Sequence, residues 1–421
     1  MKKYDLVVVG GGFAGVGAAI AAAEEGCKVL IVEKGNALSG AAVNALVNPF
    51  MCVGPHIEYN GDKVSAFGGI FRVLHNKLVE RGATCGAYGN TFLEEELKLI
   101  VNEAVLDAGV EILFHSYLYN VRMDGDRVAA ISLATCAGPL EIEADYFIDA
   151  TGDALLSYLA GCPTLLGRAE DNRCQPMTLC FRIGNVDMER YKQSIPRLTE
   201  AHKKAVEKGE LINPRENILT FGYPVGNVLH INTTRVVKHD PTDPVELSNA
   251  EILARRQVVE IYEFMKKHTD GLENSFIMMT ASEIGIRESR KIIGEYVLTG
   301  DDCMACRKFD DAVTSCNYCI DIHNPDGKGT FIYELPEGEY FTVPYRSLIP
   351  KGVRNMLVAG RCISSDQVAQ SSFRIMPSVC CIGEAAGCAI AMAAKKKADV
   401  REVDVKELQS ILKSRSCFVG V

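Results

Sequence analysis

Residues 301–325, DDCMACRKFDDAVTSCNYCIDIHNP, carry four cysteines in two C-x-x-C pairs, Cys303 with Cys306 and Cys316 with Cys319. Each pair can clasp one side of a tetrahedral metal or of a cubane cluster, because two intervening residues let both sulfurs face one centre. Three chemistries compete for the pattern. Zinc knuckles commonly set a glycine after the second cysteine so that amides face sulfur, and here Arg307 and Ile320 take those places. A [4Fe-4S] cluster would supply a one-electron relay and is the leading reading, with zinc as its alternative. Free thiols or a redox pair are the third. Plain burial fits least, because Lys308, Asp310 and Asp311 separate the pairs.

Composition bounds the fold that must place these thiols. The chain has 421 residues, 48% hydrophobic and 24% charged. That is the usage of a soluble globular protein, with length for two domains or one large interrupted one. A formal net charge of −9 leaves no basic footprint for nucleic acid or an anionic membrane surface, so neither is an expected partner. Residues 6–23, LVVVGGGFAGVGAAIAAA, are uncharged behind Lys2 and Lys3 and imitate a signal peptide or a membrane span. Glycines at 10, 11, 12, 15 and 17 after Val7-Val8-Val9 instead describe a strand and a turn feeding a helix. No other stretch approaches a spanning length, so the expected location is cytoplasmic. In that reducing compartment the sixteen cysteines are not a disulfide framework.

Gly10-Gly11-Gly12-Phe13-Ala14-Gly15 matches G-x-G-x-x-G between that strand and that helix. Gly10 allows the tight turn, Gly12 lets a pyrophosphate approach the backbone, and Gly15 lets helix and strand pack closely. Glu33 closes the second strand 23 residues after Gly10, where a carboxylate holds a ribose hydroxyl. An acid there disfavours a 2′-phosphate, so the ligand is FAD or NAD rather than NADP.

The apolar periodicity predicts strands at 4–9, 28–33 and 110–114, and helices at 14–25 and 91–108 with Gly109 as C-cap. A hairpin of 117–122 and 127–135 turns across Gly125, and a strand at 144–150 runs into Thr151-Gly152-Asp153. From about residue 165 the texture changes to short strands and polar loops, with a long helix near 247–267. Near 354 the first texture returns as a strand at 355–359, Gly360, and a small-residue helix from 377 to 394 opened by Pro377. A simple NAD dehydrogenase would continue its doubly wound sheet; this chain inserts a hairpin and reuses the fold at its far end.

Taken together these segments resemble the FAD-dependent oxidoreductases of the glutathione-reductase-like superfamily, in the branch related to fumarate reductase and succinate dehydrogenase flavoproteins. Nearly the whole chain is covered. The resemblance rests on Gly10–Gly15 with Glu33, Asp149-Ala-Thr-Gly-Asp153, Arg287-Glu-Ser-Arg-Lys-Ile-Ile-Gly-Glu-Tyr296, Ile320-Asp-Ile-His323, Pro344-Tyr-Arg-Ser-Leu-Ile-Pro350, and Val358-Ala-Gly-Arg-Cys-Ile-Ser364 with Arg374-Ile-Met-Pro377. It implies an α/β protein: a Rossmann-like, three-layer FAD-binding domain of residues 1–162 and 340–421, interrupted by an α+β substrate domain at 163–339.

For the cofactor, the resemblance implies that Ser39, Gly40, Ala41 and Ala42 lie along the pyrophosphate and isoalloxazine, following Glu33 and Lys34. Ala150, Thr151, Gly152 and Asp153 close over it, and Gly360, Arg361 and Asp366 approach the ribityl-pyrophosphate. The helix begun by Pro377 and Ser378 aims its N-terminus at the flavin pyrimidine edge, where N–H groups stabilise the charge of a reduced flavin. Arg361 departs from the superfamily's usual aspartate after that glycine.

Flavin N5 supplies redox power, so the protein must orient a C–H bond and move a proton. The resemblance nominates Arg374, His323 and Arg287. Histidine serves as acid or base near neutral pH, and buried arginine holds a carboxylate or donates a proton. The plainer reading makes Arg287 and Arg290 structural ion pairs with Glu283, Glu288 and Glu295. The expected activity is hydride transfer between flavin N5 and a small polar organic substrate, by C=C reduction or CH–CH or CH–OH oxidation. The alternative is a flavin and iron–sulfur component passing electrons to a redox partner protein. Oligomeric state stays open.

Overall fold

Alternation of side chains decides the two faces of the central sheet. In this computed structural model, which describes residues 3–421, strand β1 (Tyr4–Val9) sends Leu6 and Val8 into one apolar core and Val7 and Val9 into another. Successive strand side chains must point to opposite faces. β1 pairs in parallel with β2 (Val29–Val32), and β3 (Glu111–Leu113) extends the sheet beyond it. The expected hairpin forms as β4 (Tyr117–Asp124) and β5 (Arg127–Thr135), and β5 pairs antiparallel with the first half of β6 (Gly138–Asp149). The second half of β6 lies parallel to β1 and to the late strand Met356–Val358. The last segment of the chain thus completes a sheet begun by the first.

Helix α1 (Phe13–Glu24) covers one face of this Rossmann-like sheet. Helix α2 (Glu94–Asp107) starts three residues later than the periodicity predicts, because Thr91–Phe92 pairs as a short strand. Three acids, Glu94, Glu95 and Glu96, then stand in the first turn, where the helix dipole favours them.

A second core lies around Phe181, Ile231, Val258 and Met265. It joins a four-stranded antiparallel sheet to the long helices α3 (Met188–Lys208) and α4 (Pro244–His268). The sheet order is β8 (Thr220–Phe221), β9 (Leu229–Ile231), β7 (Phe181–Gly184) and β10 (Phe276–Thr280). Asp243 caps α4 by accepting from the Val245 and Glu246 amides, with Pro244 in the first turn, which is the sequence logic of a helix start.

Helices α5 (Gln367–Phe373) and α6 (Met376–Lys396) follow the late strand. α6 packs on α1 so closely that a Cβ on Gly383 would overlap the Ala14 carbonyl, and one on Gly387 that of Ala18. This contact explains the small residues in both helices. Among the described residues α6 is the one helix long and apolar enough to cross a membrane, and 94% of its apolar window is buried inside the protein. The sequence reading recognised no second stretch of that length; the structure shows this one as a core helix.

The cysteine segment departs from expectation in two ways. Cys303, Phe309, Val313, Cys316 and Ile320 pack into the same core as α1 and α6, not into the second core. No metal centre forms either: among the described residues no three His, Cys, Asp or Glu side chains converge as a metal site. Cys303, in the short helix Gly300–Met304, and Cys316, ending the strand Ala312–Cys316, are both fully buried. Cys306, on a left-handed turn (φ 50°), and Cys319 are both half-buried. Burial raises the Cys303 and Cys306 thiols, and pushes Cys316 to about 11 and Cys319 to about 12. As free thiols all four are protonated near neutral pH. The [4Fe-4S] and zinc readings find no support in this arrangement of the thiols. The charges between the pairs are accommodated at the surface, Lys308 on Glu339 and Asp311 on Arg346.

Candidate active site

The first turn of α1 presents backbone N–H groups with no side-chain cap. A Cβ on Gly12 would meet nothing within 4 Å, so open space lies beside a helix N-terminus, the environment an anionic pyrophosphate needs. Gly10 holds φ 105°, and a Cβ there would press into Ala150. One on Gly15 would overlap the Gly10 carbonyl. Phe13 is buried edge-on to Phe50, with centroids 5.5 Å apart, and Ala14 is clamped between Gly360 and Gly383.

Glu33 is 5% exposed and accepts the Gly11 and Gly35 amides, each at 2.7 Å. Each carboxylate oxygen keeps a lone pair that a ribose hydroxyl could use. Ser39, Gly40, Ala41 and Ala42 fold back over the turn, with the Ser39 amide donating to the Gly11 carbonyl at 2.7 Å. The Ser39 and Ser378 hydroxyls are buried without partners. Such orphans are rare and mark a site built for another molecule's polar atoms. Ser378 follows Pro377 in the first turn of α6, whose N-terminus also lacks a side-chain cap. Two uncapped helix N-termini, open space at Gly12 and the orphaned hydroxyls fit FAD.

Other nominated residues brace this cradle. The Thr151 hydroxyl donates to Asp149 at 2.7 Å. Asp153 accepts from Arg361 at 2.7 Å and Ser289 at 2.6 Å. Burial would raise Asp153, but Arg361, Ser289 and Lys34 hold it below the usual range. Arg361 thus fills the position where an aspartate is usual by pairing with one nearby, and its guanidinium lies against Gly152. Lys34 pairs with Glu283 at 3.0 Å. Asp366, expected at the ribityl chain, turns both oxygens to backbone amides, Ala369 at 2.7 Å and Gly300 at 2.9 Å. It acts as a helix cap.

A cavity of about 630 Å³ adjoins the cradle, lined by Ala41, Arg361 and Met376 on that side. Arg287, His323 and Arg374 line it too, so three residues from distant segments converge. Arg374 ends α5, and its Nη2 donates to Gln175 Oε1 at 3.3 Å and to the Asp321 carbonyl at 3.2 Å. Arg287 Nη1 donates to the Pro176 carbonyl at 2.8 Å and to the Thr178 hydroxyl. Arg215 also lines the cavity, its Nε fixed by Asn217 at 3.0 Å. Arg361 is paired with Asp153, and Arg235 with Glu216 at 3.2 Å. Two carboxylates, Asp321 and Glu216, answer the guanidinium groups of Arg215, Arg235, Arg287 and Arg374, Glu216 acting on Arg215 and Arg235 and Asp321 on all four. Burial, then the neighbouring arginines Arg374 and Arg215, lower Arg287 to about 9. Burial, then Arg235, lowers Arg215 to about 10.

His323 is 7% exposed. Its Nδ1 accepts from Arg235 Nη2 at 2.8 Å, and its Nε2 faces Asp321 Oδ2 at 3.3 Å. Arginine only donates, so Nδ1 carries the lone pair and Nε2 the proton. Burial first, then Arg287, depress His323 to about 3 against the upward pull of Asp321. Asp321, which burial alone would raise, is held far below the carboxylate range by His323, Arg374 and Arg287. His323 is therefore a neutral, fixed hydrogen-bond donor rather than the neutral-pH acid or base its residue type suggests.

The ion-pair reading of 287–295 divides. Glu288 pairs with Lys291 at 2.5 Å, both 0% exposed, and also accepts from Gln175 N and Gln367 Nε2. Arg290 stacks over Tyr158 at 4.5 Å and donates to the Asp153 carbonyl. Only Arg287 reaches the cavity. Arg215 and Arg235 escaped the sequence reading because they stand in irregular polar segments without a motif. Asp321 did have a signal: two residues before His323 on one strand, it must share that face.

The chain matches the FAD dependent oxidoreductase family over residues 5–412. It is 29% identical over 182 residues to the thiamine thiazole synthase of Aeropyrum pernix, a match covering 37% of this chain and 59% of that protein's length. Among solved structures it resembles the p-nitrophenol 4-monooxygenase of Pseudomonas putida, with TM-score 0.50, 12% identity, and coverage of 99% of this chain and 87% of that one. A geranylgeranyl bacteriochlorophyll reductase-like protein of Thermoplasma acidophilum gives TM-score 0.44 and 14% identity, with 99% and 84% covered. At such identities the likeness is one of fold alone.

Proposed function

Because the chain belongs to the FAD dependent oxidoreductase family, we propose that it exchanges a hydride between flavin N5 and a small organic substrate bearing a carboxylate. The observation that carries this reading is the convergence of Arg215, Arg287 and Arg374 on one cavity, where the nearby carboxylates, Asp321 and Glu216, are fewer than the guanidinium groups they answer. Buried like charges repel, and a carboxylate with its forked acceptors is the natural counter-ion.

Bound FAD supplies the hydride acceptor or donor at N5. Arg374 and Arg215 hold the carboxylate and so fix the reacting carbon. Gln175 and the Asp321 carbonyl in turn fix Arg374. Arg287, with its proton affinity lowered to about 9, gives or takes the proton that accompanies hydride transfer. His323 Nε2–H steadies the Asp321 carboxylate, which keeps the three arginines charged.

Anaerobic mixing tests the reading. Dithionite-reduced, FAD-loaded protein is mixed with α,β-unsaturated acids and their amides, and oxidised protein with hydroxy acids and their amides. Flavin turnover by acids but not amides is expected, lost in Arg374→Ala with FAD still bound. Turnover by amides as readily as by acids, or unchanged turnover in Arg374→Ala, overturns it.

A further inference from the structure

We propose that the same cavity contains a second, uncharged subsite, formed by Asn48 and Asn232, that binds a hydroxyl or amide N–H on the substrate's far end. This rests on the acid-binding reading above, because it describes the rest of the same molecule. Both asparagines line the cavity. Asn48 is 1% exposed, and its Oδ1 is buried with no hydrogen-bond partner.

Which end of the Asn48 amide is free follows from its neighbours. Nδ2 donates to the Phe92 carbonyl at 2.9 Å and to Glu94 Oε1 at 3.0 Å, so both N–H groups are used and the unmatched atom must be the oxygen. Glu94 is anchored in turn by Tyr223 at 2.9 Å and by buried Arg182. That network holds the acceptor in place. Asn232 Oδ1 is likewise buried without a partner, and its side chain makes no hydrogen bond among the described residues. Two residues before it, on β9, His230 is 0% exposed with neither ring nitrogen hydrogen-bonded.

Two orphaned carbonyl oxygens call for donors. A neutral donor is favoured over an ammonium group, because the cavity already carries an excess of guanidinium charge. Val47, Pro49, Leu219 and Phe221 also line the cavity and suit an apolar stretch of substrate. The ligand class is an acid head, an apolar body, and a hydroxyl or amide tail.

The test uses FAD-loaded protein and ω-hydroxyalkanoates of increasing chain length, each beside its unsubstituted alkanoate, with Kd read from flavin difference spectra. At the length that spans the two subsites the hydroxyl should tighten binding about tenfold. Asn48→Leu should abolish that gain while leaving alkanoate affinity within about twofold. If Asn48→Leu fails to fold through loss of its Glu94 contact, Asn232→Leu removes the other acceptor without breaking a side-chain hydrogen bond. No gain at any length, or a gain that survives both substitutions, overturns the subsite while the acid site stands. Asn48→Leu loosening FAD without touching the hydroxyl gain assigns the oxygen to the cofactor and also overturns it. Failure of the unsubstituted acids to bind overturns the acid-binding reading and the subsite with it.

Discussion

Arg235 donates to His323 Nδ1 at 2.8 Å from a position 2% exposed. The contact selects one imidazole tautomer and turns the Nε2 proton toward Asp321. Burial first, then Arg287, keep that ring neutral, so Arg287→Met should let His323 rise from about 3 toward the ordinary value near 6.5. Acid affinity of the parent protein should then show no limb from His323 between roughly pH 5 and 8, while the variant gains affinity as pH falls through roughly 6. Carboxylate titrations at several pH values check this, and superimposable acid limbs would count against Arg287 as the charge that depresses His323. The sign for stability follows. A histidine with its folded value depressed costs nothing above the unfolded value, and destabilises as pH falls from roughly 6.5 toward the folded one. Thermal denaturation from pH 7 to 4 should show less loss in Arg287→Met than in the parent.

Arg287 titrates at about 9, unusually low for a guanidinium. Carboxylate affinity should be flat near neutrality and fall as pH passes upward through that value, because the anion loses a positive partner. Arg287→Met should weaken binding about tenfold at pH 7 and remove the alkaline limb. A limb that persists in the variant assigns it to another group.

The Glu288–Lys291 pair, 0% exposed on both sides, is structural. Lys291→Met strands a buried carboxylate and should cost about 3–5 kcal/mol, read as a large fall in Tm. Adding Glu288→Gln should recover much of that loss. A single variant as stable as the parent would mean that Glu288 takes up a proton at little cost.

The four cysteines should behave as separate side chains. Cys306→Ser, at a half-buried position, should cost less than about 1 kcal/mol. Cys303→Ser puts a hydroxyl in a fully buried apolar site and should cost about 1–3 kcal/mol. Elemental analysis should find no stoichiometric zinc or iron. Equal, large losses on removing any one cysteine would restore a shared metal centre.

Much of the fold was legible because it obeys local rules. The glycines at 10, 12 and 15, the carboxylate at 33 and the hairpin across Gly125 each state their role through spacing. The small residues of α6 read as a helix, and the structure adds that they serve close contact with α1. What spacing could not show was direction. The C-x-x-C pairs have the arithmetic of a ligand set, yet a helix and a strand carry Cys303 and Cys316 fully into the core while Cys306 and Cys319 stay half-buried. His323 has the residue type of a neutral-pH acid or base, and only its burial beside Arg287 reveals that it stays neutral. Arg215 and Arg235 carry no motif at all; tertiary convergence alone brings them to the site.

The cationic wall is tested most directly by spectral titration of FAD-loaded protein with phenylacetate and with phenylacetamide, which matches it in shape but is uncharged. The acid should perturb the flavin bands saturably and bind at least about tenfold tighter than the amide, with the preference abolished in Arg287→Met. Equal affinity for acid and amide, or a preference that survives loss of Arg287, would contradict the assignment of Arg215, Arg287 and Arg374 as the acid-binding group.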